Sequence, residues 1–513
     1  MPDLILALDQ GTSGSTALVL DRELCVRGRA TVEFPQHFPQ AGWVEHDPDE
    51  IWASVLEAIH RVLEDLDPAR IAAIGIANQR ETTFIWDAGT GQSLGPAIVW
   101  QDRRTSDSCA RMKAHEPRVR ELTGLPLDPY FSATKLAWLK AQHPGRRLAF
   151  GTSDSFLIHR LSGEHLTDAS NASRTQLFDI HQGKWSDELI TLFGVEGIAL
   201  PRVVPSAGIC ARIRNAAPLP DGIPIAGIAG DQQAALFGQG CFEAGQAKIT
   251  YGTGSFVLMN TGTRLVVSQR GLLSTVAWDL GAGLRDRYET TSDFLVDSLR
   301  PLMPVHHSDD QVGLSQRLTY ALEGGTYIAG ALIQWLRDGL EIITSAAEVE
   351  ALAASVPDSG GVTIIPALAG LGAPHWRPEA RGLIAGITRG TTKAHIARAA
   401  LESIAHGQCD ILEAMAAERG GTLRELRVDG GASANNLLMQ MQADLSGVTL
   451  LRPKMLEATA LGAGMLAGLG IGWWKGPGDI QAALPMDRDF KPGISKDKAQ
   501  RSRHAWSAIR DQA

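Results

Sequence analysis

Little in this chain of 513 residues suits it to metal cages, disulfides or nucleic acid. Its five cysteines (Cys25, Cys109, Cys210, Cys241, Cys409) are scattered, odd in number and form no Cys-x-x-Cys pair, which excludes a zinc ribbon and reads as reduced thiols of a cytoplasmic protein. Positive charge is in deficit: the net charge of −9 argues against a nucleic-acid partner, since binding a phosphate backbone takes basic surface. A bound phosphate must then be held by local dipoles and a metal ion. No long apolar run is present either. The least polar stretch, Ala458 to Trp474, is rich in Gly and Ala and reads as a tightly packed buried helix, not a membrane span. The chain enters a strand by residue 4 with no basic region or apolar core before it, so no signal peptide is expected. There is no G-x-x-x-x-G-K-[ST] loop and no kinase-type glycine loop with its lysine. His306-His307-Ser308-Asp309-Asp310 has no standard metal-ligand spacing and reads as a solvated loop.

What is present begins with a turn that occurs twice. Leu4–Leu8 runs into Asp9-Gln10-Gly11-Thr12-Ser13-Gly14-Ser15-Thr16 and then Ala17–Leu20. Lys248-Ile249-Thr250 runs into Tyr251-Gly252-Thr253-Gly254-Ser255 and then Phe256–Met259. Each is a strand, a Gly/Thr/Ser turn and a second strand. Such a tip can aim N–H groups and hydroxyls at a phosphate, or be a plain hairpin. Only the first copy adds a carboxylate, Asp9, of the kind that holds magnesium through water. Two such hairpins predict two related lobes with a nucleotide between them.

The rest alternates strands and helices, which predicts α/β architecture in both halves. Asp47 and Pro48 start an amphipathic helix to Leu66 with Trp52, Val55, Leu56, Ile59, Val62 and Leu63 on its apolar face. Strands are expected at Ile71–Ala77, Thr82–Trp86, Ala97–Trp100, Pro224–Ile228, Val362–Pro366 and Leu426–Val428, and helices near Ala331–Ile343, Lys393–Ala417 and Asn435–Leu445. Polar groups gather at strand ends, where open α/β sheets bind ligands: Arg80-Glu81, Asp102-Arg103-Arg104, Asp231-Gln232-Gln233 and Asp429-Gly430-Gly431. Ion pairs or caps would explain each cluster equally well. Asp231, between an apolar strand and a helix start, is the candidate general base for a phosphoryl transfer, where positioning outweighs base strength; the alternative is a plain helix cap. Asp429-Gly430-Gly431-Ala432-Ser433 before a helix is a phosphate seat or a simple strand-to-helix turn.

Longer motifs carry a resemblance. Asp9–Thr12, Gly42–Pro48, Asn78–Thr83, Asp128–Lys135, Asn171–Thr175, Gly227–Gly238, Ile333–Asp338, Gly370–Trp376 and Val428–Gly431 resemble the glycerol kinases, a branch of the FGGY carbohydrate kinases, over about residues 3 to 494. The resemblance implies two RNase H-like, actin-like (ASKHA) α/β domains with the active site in the cleft between them, here about 1–245 and 246–513. It implies transfer of a phosphoryl group from ATP to glycerol with Mg2+, and a homo-oligomer, dimer or tetramer. By matched motif, Arg80, Glu81, Tyr130 and Asp231 would bind glycerol hydroxyls, Trp100 and Phe256 would flank its carbons, and Gln232 would add a hydrogen bond. Asp231 would take the proton. Thr12, Ser13, Gly14, Thr253, Gln334, Gly431 and Asn435 would lie at the nucleotide and Asp9 at magnesium. A donor-rich and an acceptor side chain together suit a polyol, whose every hydroxyl is both.

The chain departs from the pattern three times. Thr16 stands where the family usually has an arginine; a charge-assisted phosphate contact is worth roughly 1.5–3 kcal/mol, so weakened nucleotide handling is expected unless another cation substitutes. The stretch from about Leu284 to Arg317 looks inserted, with one amphipathic piece near Phe294 to Leu302, and is expected to be a surface excursion. The Arg214–Asp221 region lacks the Gly-Gly-Lys-Gly-Gly-type loop that binds fructose 1,6-bisphosphate in some relatives, so no response to that ligand is expected. Two other readings remain: a kinase for another small polyol or ketose, and a nucleotide-binding protein without catalysis.

Overall fold

The computed structural model describes residues 2–214, 216–281, 284, 318–420, 423, 425–455 and 457–513. Two mixed sheets organise it. The first contains β1 (Leu4–Gln10), β2 (Gly14–Leu20), β3 (Val26–Glu33), β4 (Ile71–Asn78), β5 (Ala207–Arg212) and β6 (Pro224–Gly230), in the order β5-β6-β4-β1-β2-β3. β1, β2 and β3 run antiparallel as successive hairpins, and β4 and β6 add parallel to β1. The second contains β7 (Gln246–Tyr251), β8 (Ser255–Gly262), β9 (Leu273–Asp279), β10 (Leu318–Thr326), β11 (Glu425–Asp429), β12 (Leu450–Pro453) and β13 (Met486–Phe490), in the order β9-β10-β8-β7-β11-β12-β13. Here too an antiparallel hairpin, β7–β8, is followed by a strand, β11, parallel to its first member. The repeated turn of the sequence is thus the tip of the same hairpin in two sheets built to one plan.

Helices cover the sheets where the apolar pattern requires. Helix α1 (Pro48–Val62) starts on the Asp47 cap, whose carboxylate accepts from the Asp49 N–H, and buries Ile51, Val55, Ala58, Ile59 and Val62. That stripe is turned from the expected one: Trp52 and Leu56 are half-buried, and the Arg160 guanidinium lies over the Trp52 ring. Helices α2 (Asp231–Gly238), α3 (Gly330–Asp338), α4 (Lys393–Arg419) and α5 (Asn436–Ser446) follow, with α3 ending short of the expected Ile343. The expected strand from Thr82 begins only at Phe84, because Thr82 N–H and Thr83 Oγ1 bond locally to the Arg80 and Glu81 carbonyls.

The Gly/Ala-rich segment is helix α6 (Ala458–Gly470), buried along almost its whole length. It packs on β1, β4 and β6 and against α2. The approach is backbone to backbone: a Cβ at Gly75 would overlap the Ala463 carbonyl, and one at Gly462 the Ala234 carbonyl. A chain segment from beyond the second hairpin therefore closes the floor of the first sheet.

The region read as inserted, with its amphipathic piece and His306–Asp310, lies outside the described residues except for Leu284. Its flanks are the antiparallel neighbours β9 and β10, with Asp279 opposite Leu318.

Candidate active site

Arg80 is the hub where the two sheets meet. It follows β4, is nearly fully buried, pairs its Nε with Asp231 Oδ1 at 2.9 Å and donates Nη1 to Glu323 Oε2 at 2.5 Å. Its Nη2 reaches Glu323 Oε1 at 3.1 Å and its Nη1 also reaches Gln233 Oε1 at 3.3 Å. Glu323, on β10, is shared with Arg174, whose Nη2 lies 3.2 Å from Oε1. Arg174 in turn donates Nε to Glu81 Oε1 at 2.6 Å. The strand-end pair Arg80-Glu81 is therefore not an ion pair with itself. Each member is held by a residue from elsewhere in the chain.

Glu81 sits at φ 62°. For a residue with a side chain this left-handed conformation costs about 1–3 kcal/mol and is concentrated at functional sites. Ser132 Oγ and Thr83 Oγ1 fix its carbonyl. Burial pushes the Glu81 carboxyl up, against the pull of Arg174 and Arg80. Burial would also raise Glu323, but Arg174 and Arg80 outweigh it and hold that carboxyl at about 2.

Asp231 differs from these acids in being open: its side chain is 29 % exposed, against 1–2 % for Glu81 and Glu323. It is the first residue of α2 rather than the cap, which is Gly230. Its Oδ1 pairs with Arg80 Nε and accepts from its neighbour's N–H, Gln232 N at 2.6 Å. Oδ2 has no hydrogen-bond partner among the described residues. One oxygen is thus pinned and the other faces outward from a helix start, the arrangement a general base needs. The Gln232 side-chain oxygen accepts from the buried Lys248 ammonium, which also donates to Thr250 Oγ1 at 2.7 Å.

The aromatic candidates line one side. Trp100 and Tyr130 meet edge to face with centroids 5.4 Å apart, and Trp100 Nε1 donates to Thr12 Oγ1 at 3.0 Å. Tyr130 is set from below by Lys135, buried, whose Nζ donates to the Tyr130 carbonyl at 2.7 Å. Burial lowers that ammonium to about 7. Phe256 lies opposite Thr250 on one side and Gly325 on the other, on the face of the second sheet that also carries Glu323 and Lys248.

Asp9 ends β1 beside this group. No hydrogen bond reaches its carboxylate among the described residues. Burial, then the charges of Asp231 and Glu457, raise it to about 7. A carboxylate left without a partner among other acids is suited to a hard cation that keeps most of its waters. Among the described residues no three His, Cys, Asp or Glu side chains cluster as a protein cage would.

The nucleotide candidates fall into two groups. At the first tip, Gly11 N–H donates to the Gly14 carbonyl at 2.9 Å and Ser13 is exposed. At the second, Gly252 N–H donates to the Gly254 carbonyl at 2.9 Å, and the Gly252 and Thr253 carbonyls accept from Ala329, Gly330 and Ala331 at the start of α3. That helix carries Gln334, exposed. Gly431 follows β11 with nothing within 4 Å of where its Cβ would be, while the Asn435 carboxamide oxygen caps α5 through Leu438 N–H at 2.8 Å.

Other sequence candidates are structural. Asp102 is fully buried and accepts from Val44 N–H and Arg104, whose guanidinium lies over Trp43. The Gly370–Trp376 loop is stapled to the second sheet: Ala373 N–H donates to the Gly325 carbonyl and Trp376 Nε1 to the Gly271 carbonyl. Sequence reasoning missed Glu323, Lys248 and Lys135, and quoted Arg174 only as part of a motif.

Two lobes of one plan, with a buried ionic hub and an open carboxylate where they meet, are the arrangement of a two-domain carbohydrate kinase. The N-terminal domain model of the FGGY family of carbohydrate kinases matches residues 4–238 and the C-terminal domain model residues 247–471. The chain belongs to that family. It is 51 % identical to a glycerol kinase of Myxococcus xanthus, with 99 % of each chain covered, and 52 % identical to one of Trichlorobacter lovleyi, with 98 % of this chain and 97 % of that one covered. The crystal structure of Plasmodium falciparum glycerol kinase with ADP superposes with a TM-score of 0.88 at 31 % identity, covering 99 % of this chain and 98 % of that one. A gluconate kinase of Lactobacillus acidophilus, 19 % identical with a TM-score of 0.85, shares the fold. No helix among the described residues is long and apolar enough to cross a membrane.

Proposed function

We propose that this chain transfers the γ-phosphoryl group of ATP to a terminal hydroxyl of glycerol, giving glycerol 3-phosphate and ADP. The observation that carries this is Asp231: one oxygen fixed by Arg80 and Gln232 N–H, the other without a described partner, at a helix start in the cleft. Oδ2 takes the proton of the attacking hydroxyl as that oxygen bonds to phosphorus and the bond to the ADP oxygen breaks. Arg80 and Glu81 offer donors and acceptors to the other hydroxyls, with Tyr130 and Gln232 beside them. Trp100, packed on Tyr130, and Phe256 present apolar surface to the carbons. Both hairpin tips, Thr12–Gly14 and Thr253, with Gln334, Gly431 and Asn435, hold the nucleotide. Asp9 holds Mg2+, which when bound offsets charge on the phosphates. The Glu323 bridge to Arg80 and Arg174 joins the lobes and excludes water from the transfer. A homo-oligomer is part of this reading, and sedimentation checks it.

The test is product identity. Purified protein is incubated with Mg-ATP and, separately, glycerol, erythritol, xylulose and gluconate, and each mixture is read by phosphorus NMR. A phosphomonoester on the terminal carbon of glycerol, with little on the others, is the expected result. A phosphorylated ketose or sugar acid instead would overturn the substrate, and no product at all the catalysis.

A further inference from the structure

The face of the first sheet that α6 covers carries Ala7, Asp9, Thr16, Leu18 and Leu20: Asp9 pairs with Thr16, and Leu20 and Ala7 lie against Gly464 of the helix. On β3 the same face continues as Thr31, opposite Thr16, and Arg29, opposite Leu18. Thr16 offers no charge, and its hydroxyl is already 3.0 Å from that of Thr31. Arg29 is half exposed, and its Nη2 lies 2.8 Å from Glu457 Oε1. Glu457 immediately precedes α6, and its charge is one of two that raise Asp9. Arg29, held by Glu457, therefore lies on the face of the first hairpin that carries Asp9, two residues further from the tip than the Asp9–Thr16 row. A triphosphate arriving there brings negative charge beside two carboxyl groups, Asp9 and Glu457.

We infer that Arg29 is the cation that meets the nucleotide's phosphates on this side, leaving Glu457 for a phosphate oxygen when the nucleotide binds. It takes from the neighbouring strand the role that an arginine at position 16 would fill. The exchange is easy because the Arg29–Glu457 pair is half exposed and so holds weakly, whereas a guanidinium on phosphate makes charge-assisted, often paired hydrogen bonds. Two strand spacings across and two residues along, about 12 Å in all, separate Arg29 from Asp9, a span that an extended arginine side chain and a polyphosphate cover together. The inference rests on the nucleotide lying at the first hairpin, as proposed above.

The test compares wild type, Arg29→Ala, and Arg29→Ala combined with Thr16→Arg. Arg29→Ala is expected to raise the KM for Mg-ATP about 10-fold or more and to weaken ADP binding, measured by calorimetry, by a similar factor. The KM for glycerol and the Tm should stay where they were. Adding Thr16→Arg should recover most of the lost nucleotide affinity, which no structural role for Arg29 explains. An unchanged KM for ATP and unchanged ADP affinity in Arg29→Ala overturn the inference, as does a loss matched by a fallen Tm or left unrescued by Thr16→Arg. If wild type shows no glycerol-dependent turnover, the proposed function fails by itself, and the ADP titrations still decide on Arg29.

Discussion

The two hairpins share a ladder and differ in charge. Across the first sheet the row beside the tip reads Thr31, Thr16, Asp9, Ala77, Ala229; across the second it reads Gly325, Phe256, Thr250, Asp429. Each row holds one carboxylate, one strand apart. Asp429 is partly matched: its Oδ2 accepts from Gln239 Nε2 at 2.8 Å while its Oδ1 is buried with no hydrogen-bond partner among the described residues, and burial raises the carboxyl against the pull of Lys248. Asp9 has only burial and other acids, and is raised to about 7. The same backbone thus yields an acid with one hydrogen bond and a lysine charge facing it in one lobe, and an acid with neither in the other. Folding alone does not select an unpaired, half-buried carboxylate, since its desolvation is uncompensated. Under the proposed function this imbalance would put the cation and the reacting phosphate at the first lobe, with Glu323, Lys248 and Phe256 supplied from the second.

The largest expected effect strikes the first lobe. Asp231→Asn should lower kcat by about 10²–10⁴-fold, the usual weight of a general base, with ADP binding retained in calorimetry. Next is the bridge between the lobes. Glu323→Gln leaves two buried arginines short of a partner, and breaking such a pair costs about 3–5 kcal/mol, read as a lowered urea midpoint at pH 7. The folded Glu323 carboxyl is held at about 2, below its ordinary 4.5. Its stabilising contribution is therefore complete above about pH 4.5 and is lost as pH falls toward 2, so the gap between wild type and variant should narrow over that window. A constant gap would mean that Glu323 acts through shape, not charge.

Much of this comparison was legible in the sequence, and the illegible part has one cause. The duplicated turn, the strand-end positions of Arg80, Asp231 and Asp429, the capped α1 and the buried Gly/Ala helix all rest on neighbours within a few residues. Glu323 was not legible, because it looks like one acid in an apolar strand until the fold sets it against Arg80, 243 residues away, and Arg174, 149 away. Lys248 opened a hairpin strand whose tip drew the attention. A lysine in a strand with no exposed alternation is the signal that could have flagged it. The stripe of α1 was misjudged by a fraction of a turn because Trp52 stays at the rim under Arg160.

Smaller effects sharpen the contrast between the two carboxylates through unequal sizes. Asp9 is raised from 3.8 to about 7, so the protein without metal loses stability as pH rises between those values and regains none above them. Asp9→Asn should accordingly raise the Tm at pH 8 while abolishing Mg2+-dependent turnover, and wild-type Mg2+ affinity should climb with pH up to about 7 and then level. Burial raises Asp429 as well, but the charge of the buried Lys248 pulls against it, so Asp429→Asn should gain less Tm at pH 8 than Asp9→Asn does. Equal gains in the two variants would erase the distinction drawn between the lobes. The smallest change is Thr250→Ala, which removes one acceptor of Lys248 and should cost about 1 kcal/mol in a denaturant titration.

The central claim is tested most directly by ADP release from the wild-type protein with saturating Mg-ATP, with and without glycerol. The account predicts turnover of about 1–100 s⁻¹ that depends on glycerol and falls to background without it. Release that ignores glycerol, or that runs as fast with xylulose or gluconate in its place, would contradict it.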